Sequence, residues 1–463
     1  MKPQSARNRI ASGQLLKRLI WLYFWLLIVE GALRRWILPG LAGPLLLVRE
    51  PVAIAILGLA VAGGALRPRF SLILGIVCGL LSFVLTLGFG HGNLPVAAYG
   101  LRIFLLHFPL LYVIGDVFDR DDVWKMARAI CWVALPMTAL TAAQFFLPQS
   151  HWINIGIGGE GTAGFEGAAD RFRPPGTFSF TSGLSQFYAL AAAAIAALAF
   201  HPRWASSWWW RASVISLVLA VPLTISRSVL FSLMITGLVF FVVGTGSSKL
   251  AKRFAVAAFA FVFLGFIATL IPAFREGMVA FSERWNAANE AEGGVVEGVF
   301  LDRFVGGFWG PLSGADQVPW AGLGLGLGTN AGAALATGGR AFLVGEGEWG
   351  RLVGEMGPIL GLAVIGIRVS IAATLLVGGY RQWRRGDPTA LLLGSVGLLW
   401  VMQGGWAQPT SLGFCVVAGG LCLAATRVKR GRPRPARKPG LSPSAESIVT
   451  EPHPPTSQTL PTP

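Results

Sequence analysis

Blocks of about 20 apolar residues recur along most of this chain, each long enough to cross a bilayer as a helix. This recurrence constrains the fold more than any motif. A backbone in hydrocarbon must satisfy its own N–H and C=O groups, and an exposed sheet edge cannot survive there. The blocks fall at roughly 16–33, 45–65, 70–88, 96–115, 126–147, 177–200, 208–224, 228–244, 253–272, 350–372, 389–403 and 410–426. Only 13% of the residues are charged and 54% are hydrophobic, whereas a soluble domain carries about 25% charge. The expected fold class is an all-α integral membrane protein of about 12 transmembrane helices, with a polytopic domain over 1–426. A long, partly helical external loop, 273–349, joins spans nine and ten. The first block runs into Glu30 and Arg34–Arg35 rather than a small-residue cleavage site, so it reads as a retained span.

Charge sets the orientation. With the N-terminus in the cytoplasm, 25 of the 38 Lys and Arg fall in inside segments and nine in outside ones, as the positive-inside rule requires. The net charge of +16 is thereby accounted for by topology and membrane lipids, not by a nucleic-acid partner. The segment 427–463 opens as RVKRGRPRPARKP and continues rich in Pro, Ser and Thr. That composition predicts a disordered basic cytoplasmic tail.

The loops narrow the chemistry. The glycine run 322-GLGLGLG-328 lacks the Lys and Ser/Thr of a phosphate-binding loop. It reads as a flexible or tightly packed turn. Cys78, Cys131, Cys415 and Cys422 all lie inside apolar blocks and behave as small hydrophobes. The five histidines are scattered, and no zinc-type spacing exists, so neither a metal nor a cofactor is expected. The acidic group Asp116, Asp119, Asp121 and Asp122 reads as a solvated inner loop face.

Charges near the membrane are costly unless paired, wet or functional. Glu30, Arg34, Arg35, Arg49, Glu50, Arg102, Arg227, Arg351 and Glu355 all fall toward the outer leaflet. Arg368, deep in span ten, has no place in this pattern. Arginines at one depth point to an anionic partner, because the planar guanidinium donates in pairs and stays charged. In 171-RFRPPGTFSFTSG-183 a rigid Pro-Pro-Gly turn follows Arg173 and would hold it at the membrane surface. In 345-GEGEWGRLVGEMG-357, Glu348, Arg351 and Glu355 share one helical face at i, i+3 and i+7. Glu346 precedes that helix and is placed to serve as a base.

Taken in order, these motifs resemble the bacterial O-antigen ligase and O-antigen polymerase superfamily of membrane glycosyltransferases. The resemblance rests on 173-RPPGTF-178, 226-SRS-228, 303-RFVGGFW-309, 319-PWAGLGLGLG-328 and 355-EMG-357. It covers roughly 170–375 by motif and the whole chain by topology. The family's ligases carry a His at the position that Glu346 occupies here, so the resemblance points to a polymerase-like member rather than a true ligase.

The resemblance implies transfer of a glycan from a polyprenyl-diphosphate carrier, such as undecaprenyl diphosphate, to a glycan or lipid acceptor on the periplasmic face. Arg227 and Arg303, with Arg173 and Arg102, would hold the diphosphate and stabilise the leaving charge. Glu346, or failing it Glu348, would activate the acceptor hydroxyl without metal or nucleotide. The expected location is the bacterial inner membrane, with both termini cytoplasmic. The alternatives are an O-antigen ligase proper and a transporter or flippase of lipid-linked glycans.

Overall fold

A computed structural model of the chain describes residues 3–162, 165–168, 170–201, 203, 204, 207–245, 270, 272–292, 306, 310, 318–337, 344 and 347–427. The expected ninth span at 253–272, the loop helix near 299–309 and the tail lie wholly or almost wholly outside them. Among the described residues seven helices are long and apolar enough to cross a membrane: Pro44–Ala62, Phe70–Gly88, Leu94–Val117, Arg120–Phe146, Thr181–Ala199, Arg227–Gly244 and Glu348–Arg384. Three shorter apolar helices accompany them, Trp208–Leu223, Thr389–Gln403 and Pro409–Ala425. The architecture is that of a helical, multi-pass membrane protein.

In chain order the helices are α1 (Pro3–Ala32), α2 (Glu50–Ala62), α3 (Phe70–Gly88), α4 (Leu94–Arg102), α5 (Phe108–Val117), α6 (Arg120–Phe146), α7 (Thr181–Ala199), α8 (Trp208–Leu223) and α9 (Arg227–Gly244). They continue as α10 (Pro272–Glu292), α11 (Asn330–Thr337), α12 (Glu348–Arg384), α13 (Thr389–Gln403) and α14 (Pro409–Ala425). A short antiparallel hairpin, β1 (Phe165–Ala168) and β2 (Arg171–Arg173), interrupts the helical pattern between α6 and α7.

Small side chains set the centre. α7 carries the run 189-ALAAAAIAALA-199, and nearly all of it is buried. α14 is also buried along most of its length. Lipid tails are as apolar as leucine, so helices in a bilayer associate by close packing, which small residues permit. Gly419 and Gly420 of α14 receive the Leu111 and Ile114 side chains of α5.

Two departures from regular helix matter for the site. The expected fourth span is α4 and α5 joined by a π-helical turn, Ile103–His107; such turns often mark functional places. The expected tenth span is not one straight helix. α12 is broken at Gly357, whose φ of 77° and ψ of 167° suit glycine almost alone. Beyond the break the chain doubles back: a Cβ on Gly361 would lie 2.7 Å from the Val353 Cα and 2.8 Å from the Leu352 carbonyl.

The acidic group at the junction of α5 and α6 is not merely solvated. Asp119 and Asp122 form a reciprocal capping box that starts α6, with bonds of 3.0 and 3.1 Å. The Asp116 carboxylate accepts from Arg69 and Arg427.

Candidate functional site

The link between α8 and α9 is Thr224, the strained Ile225 and Ser226, with Arg227 the first residue of α9. Ile225 has φ 46°, and a β-branched residue in the left-handed region is a genuine outlier. Its side chain is buried against Phe145, Leu223 and Ala280, so packing over-determines a backbone that local propensity resists. Ser226 shares a hydrogen bond of 2.9 Å with Ser185 of α7. Arg227 then opens α9, where the helix dipole also favours negative charge.

The hairpin meets this turn. A Cβ on Gly167 would lie 2.6 Å from the Arg171 carbonyl, 2.9 Å from Ile225 Cδ1 and 3.4 Å from Arg173 Cγ. Glycine is required there because strand, strained residue and arginine stem converge on one point. Arg171 bonds the Phe145 carbonyl at 3.2 Å and pairs with Glu276 of α10, tying that helix to the hairpin. The turn after Arg173 is as rigid as its prolines imply. Gln144 accepts from Gly176 N at 2.8 Å and donates to the Gly176 carbonyl at 3.1 Å. Arg35 donates to the carbonyls of Gly176 and Phe178, and Thr177 Oγ1 donates to the Ile28 carbonyl at 2.6 Å.

This scaffold brings Arg227 and Arg284 within electrostatic reach of Arg173. Burial, then the positive charges of Arg284 and Arg227, push the Arg173 guanidinium down from its ordinary range. Its Nε is buried with no hydrogen-bond partner among the described residues. Like charges brought close by separate elements disfavour one another's charged form and make a site attractive to an anion. Arg173 and Arg227 were expected at the site, and Arg284 was not. Its only sequence signal was a place on the loop helix near 275–290, now α10.

Two other expected residues are placed elsewhere. Arg102 pairs with Glu50 and lies 3.8 Å from the centre of the Tyr99 ring. Glu348 accepts four hydrogen bonds: from Arg351 at 3.2 and 2.8 Å, from Arg368 at 2.6 Å and from Trp406 N at 3.1 Å. A carboxylate clamped by two guanidiniums is held as the anion with its lone pairs occupied. Glu348 was expected to stand in for Glu346 as a base; in the structure its carboxylate is engaged by Arg351, Arg368 and Trp406 N. The same pairing accounts for Arg368, whose remaining donors bond the carbonyls of Val401 and Gly404, both at 2.8 Å. A small cavity, with room for about one water molecule, touches Glu348, Arg351, Arg368 and Trp406.

The glycine run is the tightly packed alternative. Glu355 is salt-bridged to Arg351 at 2.5 Å and accepts from Gly328 N at 2.7 Å. Leu323 N and Gly324 N donate to the carbonyls of Gly354 and Glu355 at 2.8 and 3.1 Å. Pro358 and the turned Gly357 leave those carbonyls without helical partners, and the run supplies the donors the bilayer cannot.

Glu346 and Arg303 lie outside the described residues. Among the described residues no group of three or more His, Cys, Asp or Glu is placed to hold a metal ion. The four cysteines are buried and free. No protein-family model and no curated protein sequence matches the chain.

Proposed function

We propose that the chain is a polysaccharide-assembly glycosyltransferase of the O-antigen polymerase and ligase kind. It takes a glycan from a polyprenyl-diphosphate carrier at the outer face of a bacterial inner membrane. The observation that carries this reading is the buried, unpartnered Nε of Arg173 on the hairpin, which feels the positive charges of Arg227 on α9 and Arg284 on α10. Three guanidiniums suit a diphosphate, which spreads its charge over several oxygens and accepts paired N–H donors. The finer topology belongs to the same proposal: twelve spans, both termini cytoplasmic, and 273–349 as the periplasmic loop.

In this mechanism an acceptor hydroxyl oxygen attacks the anomeric carbon. The bond from that carbon to the diphosphate oxygen breaks, and its electron pair leaves on the diphosphate. Arg173, Arg227 and Arg284, with Arg303 of the same loop, stabilise that developing charge. Glu346 takes the hydroxyl proton. Glu348, its carboxylate taken by Arg351, Arg368 and Trp406 N, has no part in this mechanism.

The test is surface-glycan gel analysis of a deletion strain carrying wild-type or variant protein. Loss of a polymerase leaves single repeat units, whereas loss of a ligase leaves long polymer on polyprenyl diphosphate. Arg227→Lys and Arg173→Ala at normal expression are expected to reproduce the deletion pattern. Normal glycan in both pools would sink the reading.

One observation favours a transporter as second reading: the break in α12, since transporters build substrate sites at broken helices. Against it, the carbonyls freed at that break are already bonded by Leu323 N and Gly324 N. They are not open to a coupling ion.

A further inference from the structure

Between α1, α2 and α4 the chain buries more positive than negative charge. Glu30 is paired with Arg49 at 3.0 Å and Arg34 at 3.5 Å. Glu50 is paired with Arg102 and lies 3.2 Å from His107 Nε2, and His107 Nδ1 shares a bond of 2.9 Å with Tyr23. Three arginines thus stand against two carboxylates, and the excess persists with His107 neutral. An uncompensated charge in a low-dielectric interior is costly, so a counter-ion is called for.

The donors left over identify what that counter-ion must be. Arg102 is 8% exposed. Its Nη1 goes to Glu50, while Nε and Nη2 are buried with no acceptor among the described residues. Those two nitrogens form the side-on edge of the guanidinium, which grips two oxygens of one phosphate or carboxylate in parallel. The hydroxyl of Tyr99, whose ring stacks on Arg102, is likewise buried and unpartnered. Arg34 belongs to the same charge network, sharing Glu30 with Arg49. Three orphaned donors and one excess positive charge describe a receptor for a singly charged oxyanion.

We propose that Arg102 and Tyr99, with Arg34 beside them, bind the phosphate of a singly charged anion. Phosphate of that charge is offered by an anionic phospholipid headgroup or by free inorganic phosphate. The binding requires no glycan donor, so it stands or falls independently of the transferase reading.

The test uses the full chain in phosphatidylcholine nanodiscs, titrated with phosphatidylglycerol or with inorganic phosphate. Retained lipid is counted by native mass spectrometry, and the unfolding midpoint is followed. The wild type is expected to retain one phosphatidylglycerol and to unfold at a higher temperature. Tyr99→Phe keeps the ring and the fold and should weaken binding by about 10-fold, as for one hydrogen bond to a charged group. Arg102→Met should abolish saturable binding. A rise with inorganic phosphate but not with lipid supports the site and assigns the soluble source. If neither anion distinguishes wild type from Tyr99→Phe, the proposal is overturned and the donors are met by water.

Discussion

Arg368 Nη1 lies 2.6 Å from Glu348 Oε1, although 20 residues separate them in one helical element. A straight helix would hold these side chains about 30 Å apart at its 1.5 Å rise per residue. The break at Gly357 turns a distant pair into a clamp that joins both halves of α12 and, through Gly404 and Trp406, the link to α14.

This pairing predicts that Glu348→Gln is a folding defect. Removing one partner of a buried ion network costs about 3–5 kcal/mol. The variant should lose its monodisperse peak in fluorescence-detected size exclusion, and Glu348→Gln with Arg368→Met should recover part of it. Stable Glu348→Gln protein lacking only transfer activity would restore the catalytic role denied to Glu348 above.

Gly357→Ala should be at least as damaging. The backbone there is nearly glycine-only, at about 1–3 kcal/mol for another residue, and an added Cβ would run into the Trp320 carbonyl. Pro358→Ala leaves the glycine turn intact and should be tolerated. Thermal unfolding of the two purified variants checks the contrast.

Gly167→Ala separates site from scaffold. The new methyl would press on the Arg171 carbonyl, Ile225 Cδ1 and Arg173 Cγ, a local overpacking of about 1–3 kcal/mol. No described hairpin residue belongs to the main buried core. Surface glycan should therefore fall as for Arg173→Ala while the unfolding midpoint of the bundle moves little. A large drop in that midpoint would show that the hairpin supports the fold rather than the arginines.

A pH-dependent phenotype is expected for Arg173→Lys. Burial and the neighbouring Arg284 and Arg227 disfavour a cation at position 173. Arginine starts so far above neutrality that it stays charged, whereas lysine starts at about 10.4. The same pressures lower the lysine toward neutrality, so its charge is lost as pH rises. Transfer measured in vitro should be near wild type at about pH 6.5 and fall by about pH 8.5, with the wild type flat. Parallel profiles would show that position 173 feels no such field.

Most of the helices could be read directly from residue order, because bilayer crossing is a property of local composition. The runs behind α3, α7, α9 and α14 are apolar over the needed length. Glu348, Arg351 and Glu355 were legible as one face, since helical spacing alone puts them together. Arg173 before its Pro-Pro-Gly turn and Arg227 in its Ser-Arg-Ser link were legible as candidates, since a rigid turn and a helix start are local devices.

What remained hidden depended on contacts between distant segments. Arg284 joins Arg173 and Arg227 only because Arg171 anchors α10 through Glu276 and Gly277 lets it approach Pro222. Glu348 looked free as a base until Arg368 arrived from beyond a break that the apolar run conceals. The glycine run could equally have been slack. It is held in place because α12 leaves two carbonyls without helical donors, and Leu323 N and Gly324 N supply them. Apolar length and local turn chemistry sufficed to write the helices into the membrane. Which charges face one another was decided by packing, because a charge buried in hydrocarbon takes whatever partner the fold brings within reach.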